Sequence, residues 1–222
     1  MSSVLLTPAC GNGFSCTAGP TVAGHGRWPA VAGVPIAFRE GLLRALERVV
    51  VTFTGLTVED LEAMPDDGRR YELIGGAIVM TPAPEVGHQR ASRRLQGRLE
   101  AAWPAMEVFD APVDVDLPGG QRVQPDLVVV ERGRTGKRLA LPVELVVEIV
   151  SPGSAVNDRV TKLDVYAAAG IVHYWVVALP AGVAVCYALE GDAYRLVAEG
   201  PVIETTQPVA VRIDVAALTD PT

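Results

Sequence analysis

Aromatic residues are scarce in this chain, at 5% of 222 positions. Four Phe, five Tyr and three Trp cannot fill a core, so Val, Leu, Ile and Ala must do so. Cysteine is sparse as well. Cys10, Cys16 and Cys186 offer no pair at zinc spacing and leave one over, which argues against a zinc site and against a disulfide framework. A reducing compartment fits this usage, and a cytoplasmic location is expected. No apolar run reaches the roughly 18 residues of a membrane span, and the N-terminus lacks the basic start of a signal peptide. Cations are outnumbered, 19 Lys and Arg against 26 Asp and Glu, for a net charge of −7. Residues 1–50 carry four Arg and two Glu, so the remainder carries −9. That balance argues against a dedicated nucleic-acid coat protein, whose affinity comes from a strong basic field. A metal-dependent nuclease remains allowed, because its clustered acids are offset by the cation.

What is present is ordinary globular material, 49% hydrophobic and 20% charged. The length predicts one domain, or one domain with an appendage. Residues 1–34 are rich in Gly, Ala, Pro, Ser and Thr and read as irregular or disordered. Phe38, Leu42, Leu46, Val49 and Val50 fall near helical spacing, so residues 36–50 predict one helix at most. We therefore divide the chain into an N-terminal extension, 1–50, and a folded domain, 51–222.

Within the domain, Thr57 followed by Val58, Glu59 and Asp60 predicts the start of a short helix that stops at Pro65. YELIGGAIVM, 71–80, predicts strand with Gly75-Gly76 as a turn or bulge. His88–Trp103 predicts a helix with Ala91, Leu95, Leu99 and Ala102 inward. Val108–Leu117 reads as one strand or hairpin arm, and a turn at Pro118-Gly119-Gly120 leads into Val123–Glu131. Val143–Val150 is a strong strand, followed by a helix from Asp158 to Ala169 with Gly170 as its C-cap, and a strand at Ile171–Leu179. Two arms around Glu190-Gly191-Asp192 predict a hairpin, and residues 209–217 a last strand or turn.

The chemistry concentrates between Pro125 and Trp175. Strand side chains alternate between faces. Glu144, Val146, Glu148 and Val150 share one face, and Asp126 shares its side with Val128 and Val130. So apolar a strand as Val143–Val150 is expected to be covered on both faces. An ionised Glu148 there demands a metal, a lysine or a proton as partner. If the two strands are neighbours, Asp126 and Glu148 can face one divalent cation, which is how magnesium is commonly held. Asp158, Lys162 and Tyr166 lie at i, i+4 and i+8, on one helix face, from which Lys162 can reach such a site. Spacing also allows duller roles: Asp126 as a turn residue, Glu148 as an ion-pair partner, Lys162 as a surface lysine beside Asp158, Glu72 on an exposed edge, His88 simply opening its helix, His173 structural. Arg90, Arg94 and Arg98 repeat every four residues with Arg93 beside them, either a solvated face or one that contacts phosphates.

Taken together in order, YELI-G-IVM, the His88-led helix, QPDLVVV, VVEIVSP and D-x-x-x-K-x-x-x-Y-A-x-A-G-I-x-x-Y-W resemble the Uma-type family of restriction-endonuclease-like proteins, a branch of the PD-(D/E)XK nuclease superfamily. The resemblance covers roughly residues 54–200. It implies an α/β fold, a restriction-endonuclease-like mixed β-sheet core flanked by helices, and an endonuclease that cuts DNA phosphodiesters with magnesium, or manganese in its place. Position by position, it makes Asp126 the acid of the PD motif and Glu148 the acid of the (D/E)XK motif, the two metal ligands. Val150 stands where the superfamily has its lysine, and the resemblance passes that role to Lys162. Glu72 and His88 match charged positions near the family's site, and Gln124 precedes the PD motif. Gly75, Ala77 and Ala178 stand where the family usually carries acids. The basic helix, Arg90, Arg94 and Arg98, is expected to contact the DNA backbone, and a homodimer is expected because cutting both strands needs two sites. The rival expectation is a nuclease-fold module that binds nucleic acid or a protein partner without cutting.

Overall fold

The computed structural model of the chain describes residues 55–81, 83–150 and 157–220, with side chains from 162 onward in the last stretch. The N-terminal extension, its expected helix and the Asp158 side chain lie outside the described residues.

The chain enters through a short helix, α1 (Val58–Glu62), whose N-cap Thr57 and Asp60 form a reciprocal capping box. YELIGGAIVM then folds as a hairpin, β1 (Arg70–Ile74) against β2 (Ala77–Thr81), with Ile74 opposite Ala77. Gly75 and Gly76 both sit at positive φ, 59° and 74°, as a two-residue turn of the hairpin-favoured hand requires. The long helix α2 (Val86–Ala102) buries His88, Ala91, Leu95 and Leu99 along one stripe. Next come β3 (Met106–Asp110), β4 (Val115–Leu117), β5 (Gln121–Val123), β6 (Leu127–Glu131), the two-residue β7 (Leu139–Ala140) and β8 (Leu145–Val150). Helix α3 (Asn157–Ala168) crosses over to β9 (His173–Ala178), which runs parallel to β8. The chain ends with hairpin β10 (Val183–Glu190) and β11 (Ala193–Gly200), then β12 (Val202–Thr205), β13 (Val211–Asp214) and α4 (Val215–Thr219).

Two larger sheets result. One has the order β2-β1-β5-β4-β7, the other β11-β10-β9-β8-β6-β3, and β12 pairs with β13 separately. The stretch 108–117 is not one strand, as its alternation predicts, but two strands in different sheets. Pro112 has no N–H to donate and so cannot continue a ladder. The central strands β6, β8 and β9 of the six-stranded sheet are buried on both faces, as the uninterrupted apolar run of β8 demands. One face, with Leu127, Val129, Leu145, Val147 and Ile149, packs on Leu95 and Leu99 of α2 and on Val215 and Leu218 of α4. The other face, with Val128, Val130, Val146 and Val150, packs on Val115 and Val123 of the five-stranded sheet and on Tyr166 of α3. The charged residues of interest lie within that second layer.

Candidate active site

β6 and β8 are antiparallel neighbours with Leu127 opposite Val147 and Val128 opposite Val146. Continuing that register by one residue sets Asp126 across from Glu148. The expected pairing of the two acids on one face is thus what the ladder produces. Both are buried, Asp126 3% and Glu148 6% exposed.

Asp126 is held on three sides. Its Oδ1 accepts from Arg70 Nη1 at 2.9 Å. Its Oδ2 accepts from the Ile149 backbone N–H at 2.7 Å and lies 3.1 Å from His88 Nε2. Burial opposes ionisation here, but the His88 hydrogen bond, the Arg70 charge and the Ile149 N–H outweigh it and hold the carboxyl below its ordinary range. An ionised Asp126 makes Nε2 the protonated nitrogen of His88, while His88 Nδ1 is buried with no hydrogen-bond partner among the described residues. His88, expected either to open its helix or to assist the site, lies in the first turn of α2 with Nε2 against Asp126.

Glu148 behaves oppositely. Burial pushes its pKa up to about 7, the Lys162 charge works against that rise, and the charges of Asp126 and Glu72 add to it. Its Oε1 accepts from Lys162 Nζ at 3.1 Å and from Tyr166 OH at 2.8 Å. Lys162 is 1% exposed and is therefore no surface lysine. It also donates to Glu72 Oε1 at 2.9 Å, and Glu72 Oε2 lies 2.8 Å from the same nitrogen as an ion-pair contact, with no hydrogen bond of its own among the described residues. Glu72, fully buried on β1, is no exposed edge residue. Its Oε1 further accepts from the Gln124 backbone N–H at 2.7 Å, which ties the five-stranded sheet to the strand that carries Asp126. Burial beside Glu148 and Glu72 keeps the Tyr166 phenol protonated far above its ordinary range. The fold therefore brings together Glu72, His88, Asp126, Glu148 and Lys162 from β1, α2, the residue just before β6, β8 and α3.

Two side chains join this cluster that sequence reasoning did not place in it. Tyr166 was visible on the Lys162 face of α3 and now has a partner. Arg70 gave no signal, since it follows Arg69 at the edge of a polar turn. It lies two residues before Glu72, on the same face of β1, and bonds both Asp126 and the Gln124 carbonyl.

The arginines of α2 lie away from this cluster and have backbone partners near the C-terminus. Arg90 donates to the carbonyl of Thr219 at 3.2 Å, Arg94 to that of Ala217 at 2.7 Å and Arg98 to that of Arg212 at 3.2 Å. The first two carbonyls belong to the last turn of α4, which has no N–H of its own helix to meet them and attracts positive charge. On this flank of α2 each of the three arginines commits one donor to the C-terminal segment.

The donor chemistry of the cluster can be tested against a metal. Among the described residues no group of three or more His, Cys, Asp or Glu side chains is arranged to hold an ion. An ion here would take two protein carboxylates, Asp126 and Glu148, and complete its shell with water and substrate oxygens. Hard oxygen donors in that small number fit magnesium and its close analogue manganese, and do not fit zinc or calcium cages. A surface cleft of about 540 Å³ opens beside Gln124, lined by Tyr71, Asp114, Arg122, Lys137 and Arg138 among others.

The family model described as "Uma2: Putative restriction endonuclease" matches residues 58–216. Among solved structures, this fold is similar to that of a protein from Anabaena variabilis described as "a putative nuclease belonging to DUF820". The TM-score is 0.61 at 13% identity, covering 74% of this chain and 97% of that one. At that identity the likeness speaks for the fold alone. No curated protein matches the chain. Among the described residues, no helix is long and apolar enough to cross a membrane.

Proposed function

The chain belongs to the Uma2 restriction-endonuclease family, and from that premise we propose that it is a magnesium-dependent endonuclease that hydrolyses DNA phosphodiester bonds. One observation carries this reading: Asp126, immediately before β6, falls across from Glu148 of β8 when the β6–β8 register is continued by one residue, with the Lys162 ammonium buried against Glu148. Asp126 and Glu148 would hold the ion, which supplies neutralisation of charge on the scissile phosphate and a more acidic water.

The protein's own groups do the positioning. Ile149 N–H and His88 fix the Asp126 carboxylate against rotation. Tyr166 fixes Glu148. Lys162, held by Glu72 on one side and Glu148 on the other, presents a charged donor where an attacking water can be oriented and a developing negative charge met. Burial strengthens each of these interactions by excluding bulk water. Cutting both strands calls for two such sites, which a homodimer would supply.

The test is direct. Purified full-length chain is incubated with supercoiled and linear DNA in Mg²⁺ or Mn²⁺, beside Asp126→Ala and Glu148→Ala. Nicking or linearisation by wild type alone is the expected result. DNA left intact by wild type in both metals sinks the reading and leaves a nuclease fold that binds without cutting. That second reading draws on one observation, that both oxygens of Asp126 already have protein partners.

A further inference from the structure

The charges around the two acids do not balance evenly. Glu72 and Glu148 share Lys162, whereas Asp126 has Arg70 as its cation. Asp126 Oδ2 meets two donors, the Ile149 N–H and His88, which match its two lone pairs. The oxygen left to meet an entering ion is Oδ1, where Arg70 sits.

Three features of Arg70 make it the group that yields. First, its side chain is 19% exposed, against 9% or less for His88, Asp126, Glu72, Lys162 and Glu148, so it stands at the mouth of the cluster. Second, its bonds to Asp126 and to the Gln124 carbonyl both come from Nη1. This is an end-on contact, not the two-pronged fork that makes arginine–carboxylate pairs strong. Third, Lys162 is enclosed with nowhere to go, while Arg70 has a long side chain and solvent beside it. A divalent ion next to a guanidinium also repels it.

Resting on the metal-dependent reading above, we propose that Arg70 is a displaceable stand-in for the metal's charge. In the metal-free protein it neutralises Asp126. On metal entry it releases Oδ1 and turns its planar fork toward a phosphate of the bound DNA strand, the geometry for which arginine is suited. Arg70 thereby couples metal occupancy to substrate contact. Free enzyme with no metal keeps its phosphate-binding cation folded inward, so metal and DNA bind with positive cooperativity.

The experiment compares full-length wild type with Arg70→Gln. Calorimetric titration with Mn²⁺ in the absence of DNA should show roughly ten- to a hundredfold tighter binding in Arg70→Gln, the scale of one charged hydrogen bond no longer competing. Binding of a cleavage-resistant phosphorothioate duplex in Mn²⁺ should weaken, with the slope of log affinity against log salt reduced by about one. Metal affinity that is unchanged or weaker in Arg70→Gln overturns the stand-in role. Unchanged DNA affinity and salt slope overturn the phosphate role. A measurement on wild type alone guards against a variant that fails to fold. The arginine side-chain N–H signals of ¹⁵N-labelled protein should show one guanidinium changing partner as Mg²⁺ saturates, and identical spectra would refute the proposal. Wild type that binds neither metal overturns the nuclease reading together with this one. Wild type that binds metal and cuts DNA, with no tightening in Arg70→Gln, overturns only this one.

Discussion

The arginines of α2 and the lysine of α3 are cations on amphipathic helices, and the fold uses them in opposite ways. Arg90, Arg94 and Arg98 lie on a half-exposed flank and bond backbone carbonyls of the C-terminal segment. Lys162 is buried and bonds two carboxylates. A cation that meets peptide carbonyls at a helix end is fastening structure. A cation taken fully out of water between two acids is costly to place there, and such clusters concentrate where chemistry is done. Density of charge in the sequence pointed at the first group, and burial points at the second.

The largest effect should come from the acids. Asp126→Ala or Glu148→Ala should lower Mg²⁺-supported cleavage by about a thousandfold or more, read as plasmid nicking rate, because each removes one of two carboxylates offered to the ion. Lys162→Met comes next. It leaves Glu72 and Glu148 buried without their shared partner, so we expect a loss of roughly 3–5 kcal/mol in urea unfolding. Stability unchanged in Lys162→Met would erase the contrast drawn above. Tyr166→Phe removes one hydrogen bond to Glu148 and should cost about 1–1.5 kcal/mol by the same measurement. Arg94→Ala should have the smallest effect, about 1 kcal/mol of stability, with DNA affinity and its salt dependence unchanged. A salt slope that falls in Arg94→Ala would return the α2 flank to the DNA interface.

Much of the site was legible because it rests on short-range periodicity. Alternation placed Asp126 with Val128 and Val130, and Glu148 with Val146 and Val150, and the contacts agree. The i, i+4 spacing put Lys162 and Tyr166 on one face, and both now touch Glu148. The family resemblance supplied Glu72 and His88. What escaped were partners far apart in the chain. Arg70 meets Asp126 across 56 positions, and Arg94 meets Ala217 across 123, with no periodic mark on either residue. The interrupted strand at 108–117 escaped for a different reason. Its apolar alternation continues across Pro112, but a ladder cannot.

The β6–β8 register also limits how this chain can change across generations. Side chains in a strand flip face with every single-residue shift. An insertion within β8 ahead of Glu148 would carry the acid to the side packed on α2. Both faces of this sheet are apolar, so the fold could persist while the two acids part company. Length changes should therefore be tolerated in the loops around 132–138 and 190–192. Within 126–130 and 145–150 they should abolish cleavage before they abolish expression. An insertion scan scored separately for folded yield and for nicking would show two short windows where the scores diverge. Inheritance of activity here depends on counting residues correctly, over and above choosing the right ones.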